Sequence, residues 1–263
     1  MQIISWNVAS ARARLNLIKE LLTEKSPDFL FLQEIKSTDE TFPFELFKSL
    51  GYESVISGQK SFNGVAILSK HKIKDVITQL PTLQNDQPTQ ARFVQCAHNG
   101  IQFICVYVPN GNPPEKDPED TSRLAYKLEW MAALEEHLSN LTKQKIPFII
   151  GGDFNVIEKD DDVYNPKLYE TNALMLPPVR EAFSKLNDMG LINTLRHFNK
   201  EPHTYSFWDF QYGAWPRNLG MLLDHIFVSN CFKDSLLDAG VYKDYRGKEK
   251  PSDHTPVYCN LSI

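Results

Sequence analysis

Short apolar runs that recur along the whole chain restrict its fold more than any other feature. They are rich in Ile, Val and Phe, they are separated by turn residues, and they have the length of strands rather than of helices. We predict strands at residues 2–6, 28–32, 53–57, 63–69, 92–97, 101–108, 146–151, 224–228 and 255–261.

Helical patterns lie between some of these strands, where apolar residues fall three and four positions apart. We predict helices at residues 12–25, 40–50, 120–143 and 173–189. In the last of these, Leu174, Leu176, Val179, Phe183 and Leu186 share one face. Gly190 supplies a stop signal at its C-terminal end.

The order of these elements does not alternate cleanly between strand and helix. The strands at 92–97 and 101–108 are joined at His98-Asn99-Gly100, which favours a hairpin and therefore antiparallel pairing. The α/β architecture that fits best is a mixed two-sheet sandwich with helices outside. Because no repeat or Gly/Ser linker divides the 263 residues, we expect one domain, residues 1–263.

Composition and the N-terminal sequence exclude several classes of protein. The apolar runs fall far short of the roughly 20 residues that span a bilayer. The chain enters a strand pattern at Gln2, so we expect no leader and a compact, bacterial-type protein. The four cysteines form no C-x-x-C pair. We predict that they are reduced, which favours a cytoplasmic location.

The formal net charge of −5 argues against an extended polycationic surface. Local basic patches remain possible, and carboxylates that surround a metal ion would contribute to the negative charge.

Five short motifs place polar residues directly after apolar runs. They are Ser5-Trp6-Asn7, Leu32-Gln33-Glu34, Tyr107-Val108-Pro109-Asn110-Gly111, Gly151-Gly152-Asp153-Phe154-Asn155 and Ser252-Asp253-His254. A single carboxylate in this position is more often a helix cap or a turn former. The repetition is the signal, because strand ends at a sheet edge are where α/β folds place their sites.

The polar residues in and near these motifs form an oxygen-rich set. It comprises Glu34, Asp153, Asp224 and Asp253, the neutral Asn7 and Asn155, and His254. Carboxylate and amide oxygens suit a hard cation and are poor ligands for zinc. We therefore predict Mg²⁺, with Mn²⁺ as a substitute. Of the other histidines, alternation along a strand directs His225 away from the site, and the remaining five are expected to face solvent.

The motifs resemble those of the exonuclease III family of abasic-site endonucleases, within the DNase I-like group of metal phosphodiesterases. To the five motifs the resemblance adds Ala11 to Arg14, Ile35-Lys36, Ser206-Phe207-Trp208-Asp209-Phe210 and Leu223-Asp224, so it runs through most of the chain. Sphingomyelinase-like, inositol-phosphatase-like and deadenylase-like relatives share the carboxylates but not usually Tyr-x-Pro-Asn-Gly or the Phe207-Trp208 segment. The resemblance implies a four-layered α/β sandwich of two mixed, mostly antiparallel sheets flanked by helices.

The resemblance also implies a role for each polar residue. Metal ligands would come from Glu34, Asn7, Asp153, Asn155, Asp253 and His254. Asp153 would deprotonate the attacking water, Asn155 would hold the scissile phosphate, and His254, oriented by Asp224, would donate to a phosphate oxygen. Tyr107 would bind the phosphate or assist the departing 3′ oxygen, and Asn110 would contact the phosphate or the adjacent sugar. Which group protonates the leaving oxygen stays open.

An apolar slot for a flipped abasic sugar would be formed by Phe207, Trp208, Met221 and Leu223. The alternative is that these four side chains are ordinary core. Relatives tend to have an arginine where this chain has Leu222, which leaves the finer substrate preference open.

Basic residues near the motifs are candidates for contact with DNA phosphates, although solvated surface charge is the simpler explanation for any one of them. The candidates are Arg12, Arg14, Lys36, Arg92, Lys243, Arg246, Lys248 and Lys250.

The activity that the resemblance implies is Mg²⁺-dependent hydrolysis of the phosphodiester 5′ to abasic sites, leaving a 3′-hydroxyl, with 3′→5′ exonuclease activity and 3′-end trimming on duplex DNA. The expected partner is double-stranded DNA, bound by a monomer, with the loops at 109–120 and 209–219 bracing the duplex. Two alternatives are a phosphodiesterase acting on a lipid or inositol phosphate and a catalytically silent scaffold or DNA-binding module.

Overall fold

The computed structural model describes residues 1–84 and 89–263. Its strands are β1 (Gln2–Asn7), β2 (Phe29–Gln33), β3 (Glu53–Ser57), β4 (Val65–Ser69), β5 (Lys74–Ile77), β6 (Phe93–His98), β7 (Ile101–Tyr107), β8 (Phe148–Asp153), β9 (Ile192–Asn193), β10 (Asp224–Val228), β11 (Leu236–Val241) and β12 (Val257–Leu261). Its α-helices are α1 (Leu15–Glu24), α2 (Phe44–Ser49), α3 (Ser122–Lys143), α4 (Pro177–Asp188) and α5 (Thr194–Phe198). Short 3-10 helices span Asp160–Asp162, Pro166–Leu168, Asn230–Ser235 and Lys243–Gly247.

The strands form two six-stranded sheets. The first has the order β11-β12-β1-β2-β4-β3, and the second has the order β5-β6-β7-β8-β10-β9. Each contains one parallel pair among its described strands, β1 with β2 and β7 with β8, and the other pairings are antiparallel.

The two sheets pack face to face, and each carries helices on its outer side. Phe29 of the first sheet stacks on Phe103 of the second, with ring centroids 3.7 Å apart. On one outer face α1 and α2 bury residues such as Leu21. On the other, α3 and α4 bury residues such as Trp130 and Phe183. This arrangement confirms the four-layered sandwich of two mixed, mostly antiparallel sheets.

All nine predicted strands are present, with ends that differ by a few residues. The hairpin predicted at His98-Asn99-Gly100 is confirmed, because β6 and β7 pair up to His98 and Ile101 and the turn residues Asn99 and Gly100 have φ values of 48° and 79°. The prediction missed β5, β9, β11 and α5. β5 is exposed throughout and β9 has two residues, so neither contains a buried apolar run.

The helix predicted at 173–189 begins later, at Pro177, and the assignment of Leu174 to its face was wrong. Pro177 and Pro178 occupy the first turn, where proline is tolerated, and the residue before a proline avoids the helical region. Leu176 accordingly has a ψ of 141°. Leu174 packs instead in an apolar cluster with Met221 and Leu223.

Three further observations concern solvent and the interior. None of the helices in residues 1–84 and 89–263 is long and apolar enough to cross a membrane. The four cysteines, all in the described part of the chain, carry free thiols, as predicted. His137 was expected to face solvent, but its ring is buried against Phe93 and its Nε2 lies 2.7 Å from Gln95 Oε1.

Candidate active site

The ends of strands from both sheets meet at one end of the sandwich. In the second sheet Tyr107, Asp153 and Asp224 are in register, because Asp153 pairs with Tyr107 in the parallel direction and with Asp224 in the antiparallel direction. In the first sheet Asn7 ends β1, and Glu34 directly follows β2. Glu34 has a φ of 50°, so the chain turns sharply where the carboxylate leaves the sheet.

The amide of Asn7 connects the two sheets through a pair of carboxylates. Its Nδ2 lies 3.0 Å from Glu34 Oε1 and 3.0 Å from Asp153 Oδ2. Its Oδ1 accepts from the backbone N–H of Ala9 at 3.1 Å. Because both amide hydrogens have acceptors, the fully buried Asn7 holds Glu34 and Asp153 at a fixed separation.

Asp153 is buried and is positioned by its neighbours. Its Oδ1 accepts from the backbone N–H of Asn155 at 2.9 Å. Burial raises the pKa of Asp153 to about 7, although the charge of His254 acts in the opposite direction. A carboxylate with a pKa near neutrality suits a general base.

His254 lies between two carboxylates. Its Nδ1 is 2.7 Å from Asp224 Oδ2, and its Nε2 is 3.7 Å from Asp153 Oδ2. Burial alone would lower the pKa of His254, but Asp224 and Asp153 outweigh it and raise the pKa to about 10. The ring is therefore an imidazolium at neutral pH.

Ser206 had no role assigned from the sequence. Its Oγ donates to Asp224 Oδ2 at 2.6 Å and accepts from the backbone N–H groups of Leu223 and Asp224, both at 3.1 Å. Ser206 therefore fixes the carboxylate that orients His254. The sequence signal was its place directly before Phe207-Trp208, within the motif that supported the family resemblance.

Glu34 is the more accessible of the two carboxylates that Asn7 joins, Glu34 and Asp153. Tyr107 Oη donates to Glu34 Oε1 at 2.9 Å, and Lys36 Nζ lies 2.8 Å from Glu34 Oε2. Burial opposes ionisation of Glu34, but the hydrogen bonds from Lys36 and Asn7 prevail and lower its pKa. Lys36, which was predicted to contact DNA, thus pairs with a predicted metal ligand.

Arg92 lies behind Tyr107. Its guanidinium is 4.7 Å from the centre of the Tyr107 ring, and its Nη1 donates to Tyr107 O at 3.2 Å. Burial raises the pKa of Tyr107 well above its ordinary value, so the phenol keeps its proton. Arg92 therefore supports Tyr107 while remaining partly exposed at the rim of the site.

The oxygen donors fit a hard divalent cation. One ligand atom each from Asp153, Asp224 and His254 lies within 4.8 Å of the others, so this buried cluster could hold a metal ion. However, His254 directs its nitrogens at carboxylates and is cationic, which makes it a poor ligand. Glu34, which is partly exposed and already binds the Lys36 ammonium, is better placed for a cation.

Two asparagines lie next to this cluster. Asn155 Nδ2 donates to Val108 O at 2.9 Å, and Asn155 Oδ1 accepts from Asn110 Nδ2 at 3.3 Å. Asn110 is exposed, so its amide can reach a bound molecule. Asp253 is half-buried, and its Oδ1 accepts from Ser252 Oγ at 3.2 Å.

The predicted apolar slot is only partly assembled. Phe207, Met221 and Leu223 belong to one cluster, and the Phe207 ring lies 4.9 Å from the His254 ring. Trp208 is fully buried elsewhere, against Trp215, with its Nε1 donating to Asn218 Oδ1 at 3.1 Å. Adjacent residues of an extended segment face opposite sides, so Phe207 and Trp208 cannot line the same slot.

The candidate basic residues have different surroundings. Arg12 is exposed, whereas Arg14 is half-buried and donates to Ala9 O and Pro251 O. Arg246 is buried and donates to Trp208 O, so its assignment to the DNA-contact set was wrong. Lys248 pairs with Glu20.

Two exposed aromatic side chains were not singled out in the sequence. Phe62 is 70% exposed and, with Arg92, Asn110 and Arg123, lines a cleft of about 610 Å³. Tyr212 is 80% exposed in the loop at 209–219. A large exposed aromatic such as Phe62 next to a polar cleft indicates a binding surface.

Comparison with known proteins points to one family and one fold. Residues 4–254 match the Endonuclease/Exonuclease/phosphatase family. Exodeoxyribonuclease III of Haemophilus influenzae is 32% identical, over 99% of this chain and all of the relative. A 3′ phosphatase NExo from Neisseria, solved with a product DNA hairpin, has a TM-score of 0.94 and 34% identity over the full length of both chains. An AP endonuclease from Archaeoglobus fulgidus has a TM-score of 0.92 and 30% identity, again over both full chains.

Three findings lead to one assignment. They are a family match over most of the chain, a full-length relative above 30% identity and a shared fold. The chain belongs to the Endonuclease/Exonuclease/phosphatase family and, within it, to the exonuclease III and AP endonuclease type of hydrolase.

Proposed function

We propose that the chain is a Mg²⁺-dependent DNA repair nuclease. It hydrolyses the phosphodiester on the 5′ side of abasic sites, leaves a 3′-hydroxyl, and trims nucleotides and blocking groups from 3′ ends of duplex DNA. The observation that carries this proposal is the pair of carboxylates joined by Asn7, with His254 held between Asp153 and Asp224.

Asp153 acts on the attacking water. Its carboxylate is held by Asn7 and by the backbone of Asn155, and its pKa of about 7 lets it accept a proton at neutral pH. The fixed geometry aims one carboxylate oxygen at the water, so little reorganisation is needed in the transition state.

His254, Tyr107 and Asn110 contact the phosphate. The imidazolium of His254 donates Nε2–H to a non-bridging oxygen, and Asp224 keeps the ring charged. Tyr107 retains its proton and donates to the phosphate or to the departing 3′ oxygen. The exposed Asn110 amide contacts the phosphate or the sugar beside it.

The carboxylates would hold the metal ion, with Glu34 as one ligand. When bound, Mg²⁺ or Mn²⁺ supplies neutralisation of the charge on the phosphate oxygens. Lys36 lies 2.8 Å from Glu34 Oε2, and its long side chain is free to leave this position for a DNA phosphate.

DNA is the substrate class that the relatives and the surface favour together. The similar proteins are named exodeoxyribonuclease III and AP endonuclease, and the similar NExo structure contains a product DNA hairpin. In this chain the exposed Arg12 and the partly exposed Arg92 suit phosphates. The exposed Phe62 and Tyr212 suit stacking or wedging against bases.

The apolar slot gives a reason for preference toward abasic sites. Phe207, Met221 and Leu223 form its wall, and Phe207 lies against the ring of His254. A bare deoxyribose that turns out of the helix can enter beside the catalytic histidine, and an intact nucleotide must fit a base as well.

The test uses a duplex oligonucleotide with one tetrahydrofuran abasic analogue, with Mg²⁺ or with EDTA. We expect metal-dependent incision 5′ to the analogue, reduced by about 10²- to 10⁴-fold in Asp153→Asn and strongly in Glu34→Ala. Asp75→Asn, which changes an exposed carboxylate on β5, is the matched control and keeps full activity. Hydrolysis of sphingomyelin or inositol phosphates without incision of DNA would overturn the proposal and leave only the family assignment.

A further inference from the structure

Lys127 is a buried lysine that the reaction as described does not use, and burial lowers its pKa to about 7. It lies on α3 with no exposed surface, and its Nζ donates to three backbone carbonyls. The acceptors are Asn155 O at 2.6 Å, Asn110 O at 3.0 Å and Ala173 O at 3.3 Å. Only the ammonium form has three N–H groups for three acceptors.

The position of Lys127 on its helix would favour an apolar residue. Trp130 and Leu134, one and two turns further along the same face of α3, are buried in the apolar core. Burial of a cation is costly unless it is hydrogen-bonded or paired. Among the described residues no carboxylate forms an ion pair with Lys127, so the three carbonyls, together with the more distant charge of Asp153, offset part of that cost.

Two of the carbonyls belong to residues that face the phosphate site. Asn110 and Asn155 come from the loops after β7 and β8, and their side-chain amides lie 3.3 Å apart. Gly111 lets the first loop close over the lysine: a Cβ there would come within 2.6 Å of Lys127 Cδ, and its φ of +87° is unfavourable for other residues.

The third carbonyl links this site to the apolar slot. Ala173 precedes Leu174, which packs with Met221 and Leu223. Asn112 reinforces the link, because its Oδ1 accepts from the backbone N–H of Ala173 at 2.9 Å. One ammonium thus joins the phosphate-facing loops to the loop that supports the slot.

We infer that Lys127 is a positioning residue for the proposed reaction: its ammonium fixes the backbone of Asn110, Asn155 and Ala173 so that the phosphate contacts and the apolar slot keep one relative geometry. The inference rests on the proposed function. Loss of the three hydrogen bonds from Lys127 lets the side-chain amides of Asn110 and Asn155 shift. Misplacement of such groups by about 1 Å lowers turnover more than it lowers substrate binding.

The test compares Lys127→Met with Lys143→Met, an exposed lysine on the same helix. We expect kcat on the abasic duplex to fall by about 10- to 100-fold in Lys127→Met, with KM changed less than about threefold, and no change in Lys143→Met. The Asn110→Ala variant should cost less activity in the Lys127→Met background than in the wild type, because the lysine acts through Asn110. Unchanged kcat in a folded Lys127→Met protein, or independent effects of the two substitutions, would overturn the inference.

A second measurement does not depend on catalysis. Side-chain amide resonances of Asn110 and Asn155, followed by NMR, should move in Lys127→Met and stay in place in Lys143→Met. If they stay in place in both, the inference fails even where the proposed activity holds. If the wild type cuts no DNA, the proposed function fails, and the resonances still decide whether Lys127 positions these loops. Should Lys127→Met not fold, Lys127→Gln, which keeps a polar end at the same position but lacks the three ammonium donors, serves in both measurements with the same expected results.

Discussion

His254 Nδ1 lies 2.7 Å from Asp224 Oδ2, and this hydrogen bond joins the two sheets of the sandwich. Asp224 begins β10 of the second sheet, and His254 precedes β12 of the first. The bond is buried, and Trp6 of β1 donates from its Nε1 to His254 O at 3.1 Å. The charge of the histidine therefore depends on the packing of the sheets, and so does any reaction that needs an imidazolium.

The free energy of unfolding should depend on pH through His254. Its pKa in the folded protein, about 10, lies above the ordinary value of 6.5. The stabilisation is therefore complete below pH 6.5 and is lost as the pH rises through 10. In EDTA, the difference in unfolding free energy between the wild type and His254→Gln should shrink from pH 6 to pH 10. His197→Gln, at an exposed histidine, is the control, and a difference independent of pH would contradict the prediction.

Ser206→Ala should lower both stability and turnover. The substitution removes the 2.6 Å hydrogen bond to Asp224 and leaves two backbone N–H groups without their acceptor. We expect a loss of about 1–3 kcal/mol in denaturant unfolding and a fall of roughly tenfold in kcat. Ser49→Ala, at an exposed serine, should change neither. Retention of full activity by Ser206→Ala would show that Asp224 needs no such support.

Tyr107→Phe should reduce kcat by about 10- to 100-fold while leaving the fold intact. The change removes only the hydroxyl that donates to Glu34 Oε1 at 2.9 Å, and it keeps the ring beneath Arg92. Tyr212→Phe removes a hydroxyl from an exposed ring and is the matched control. Steady-state incision assays measure kcat for both variants. An equal fall in kcat for Tyr107→Phe and Tyr212→Phe would contradict a special role for Tyr107.

Phe62→Ala should weaken DNA binding and leave kcat almost unchanged. The ring is 70% exposed beside a cleft that also contains Arg92 and Arg123, so its contribution is contact with the duplex rather than support of the fold. We expect Kd for an abasic duplex to rise by about tenfold, measured by fluorescence anisotropy in EDTA. Phe198→Ala, at another exposed phenylalanine, should bind as the wild type does. Equal affinity of Phe62→Ala and the wild type for the duplex would exclude this surface as a DNA-binding site.

The sequence determined nine of the twelve strands in the described part of the chain, the hairpin and the polar residues that follow the strands. Burial on both faces gives strands such as Phe29–Gln33 an uninterrupted apolar run, and the ends of such runs can be recognised locally. Glu34 and Asp153 are therefore identifiable from the sequence alone as carboxylates at strand ends. The choice of Mg²⁺ or Mn²⁺ depends on donor chemistry and stays a prediction.

The tertiary structure alone decided which side chains meet. Trp208 and Phe207 are neighbours in sequence but face opposite sides, and Arg246 is buried although it belongs to a basic run. His137 is also buried, because packing of α3 on the second sheet covers its ring.

Lys127 illustrates both what the local sequence predicts and what only the tertiary structure decides. Its place on the apolar face of α3 is visible in the sequence through Trp130 and Leu134, but its three carbonyl partners are 17, 28 and 46 residues away. Local periodicity determines which face of a helix is buried, and it carries no information on which distant loops that face will meet. The long-range contacts between sheets, helices and loops supply that information, and they exist only in the folded chain.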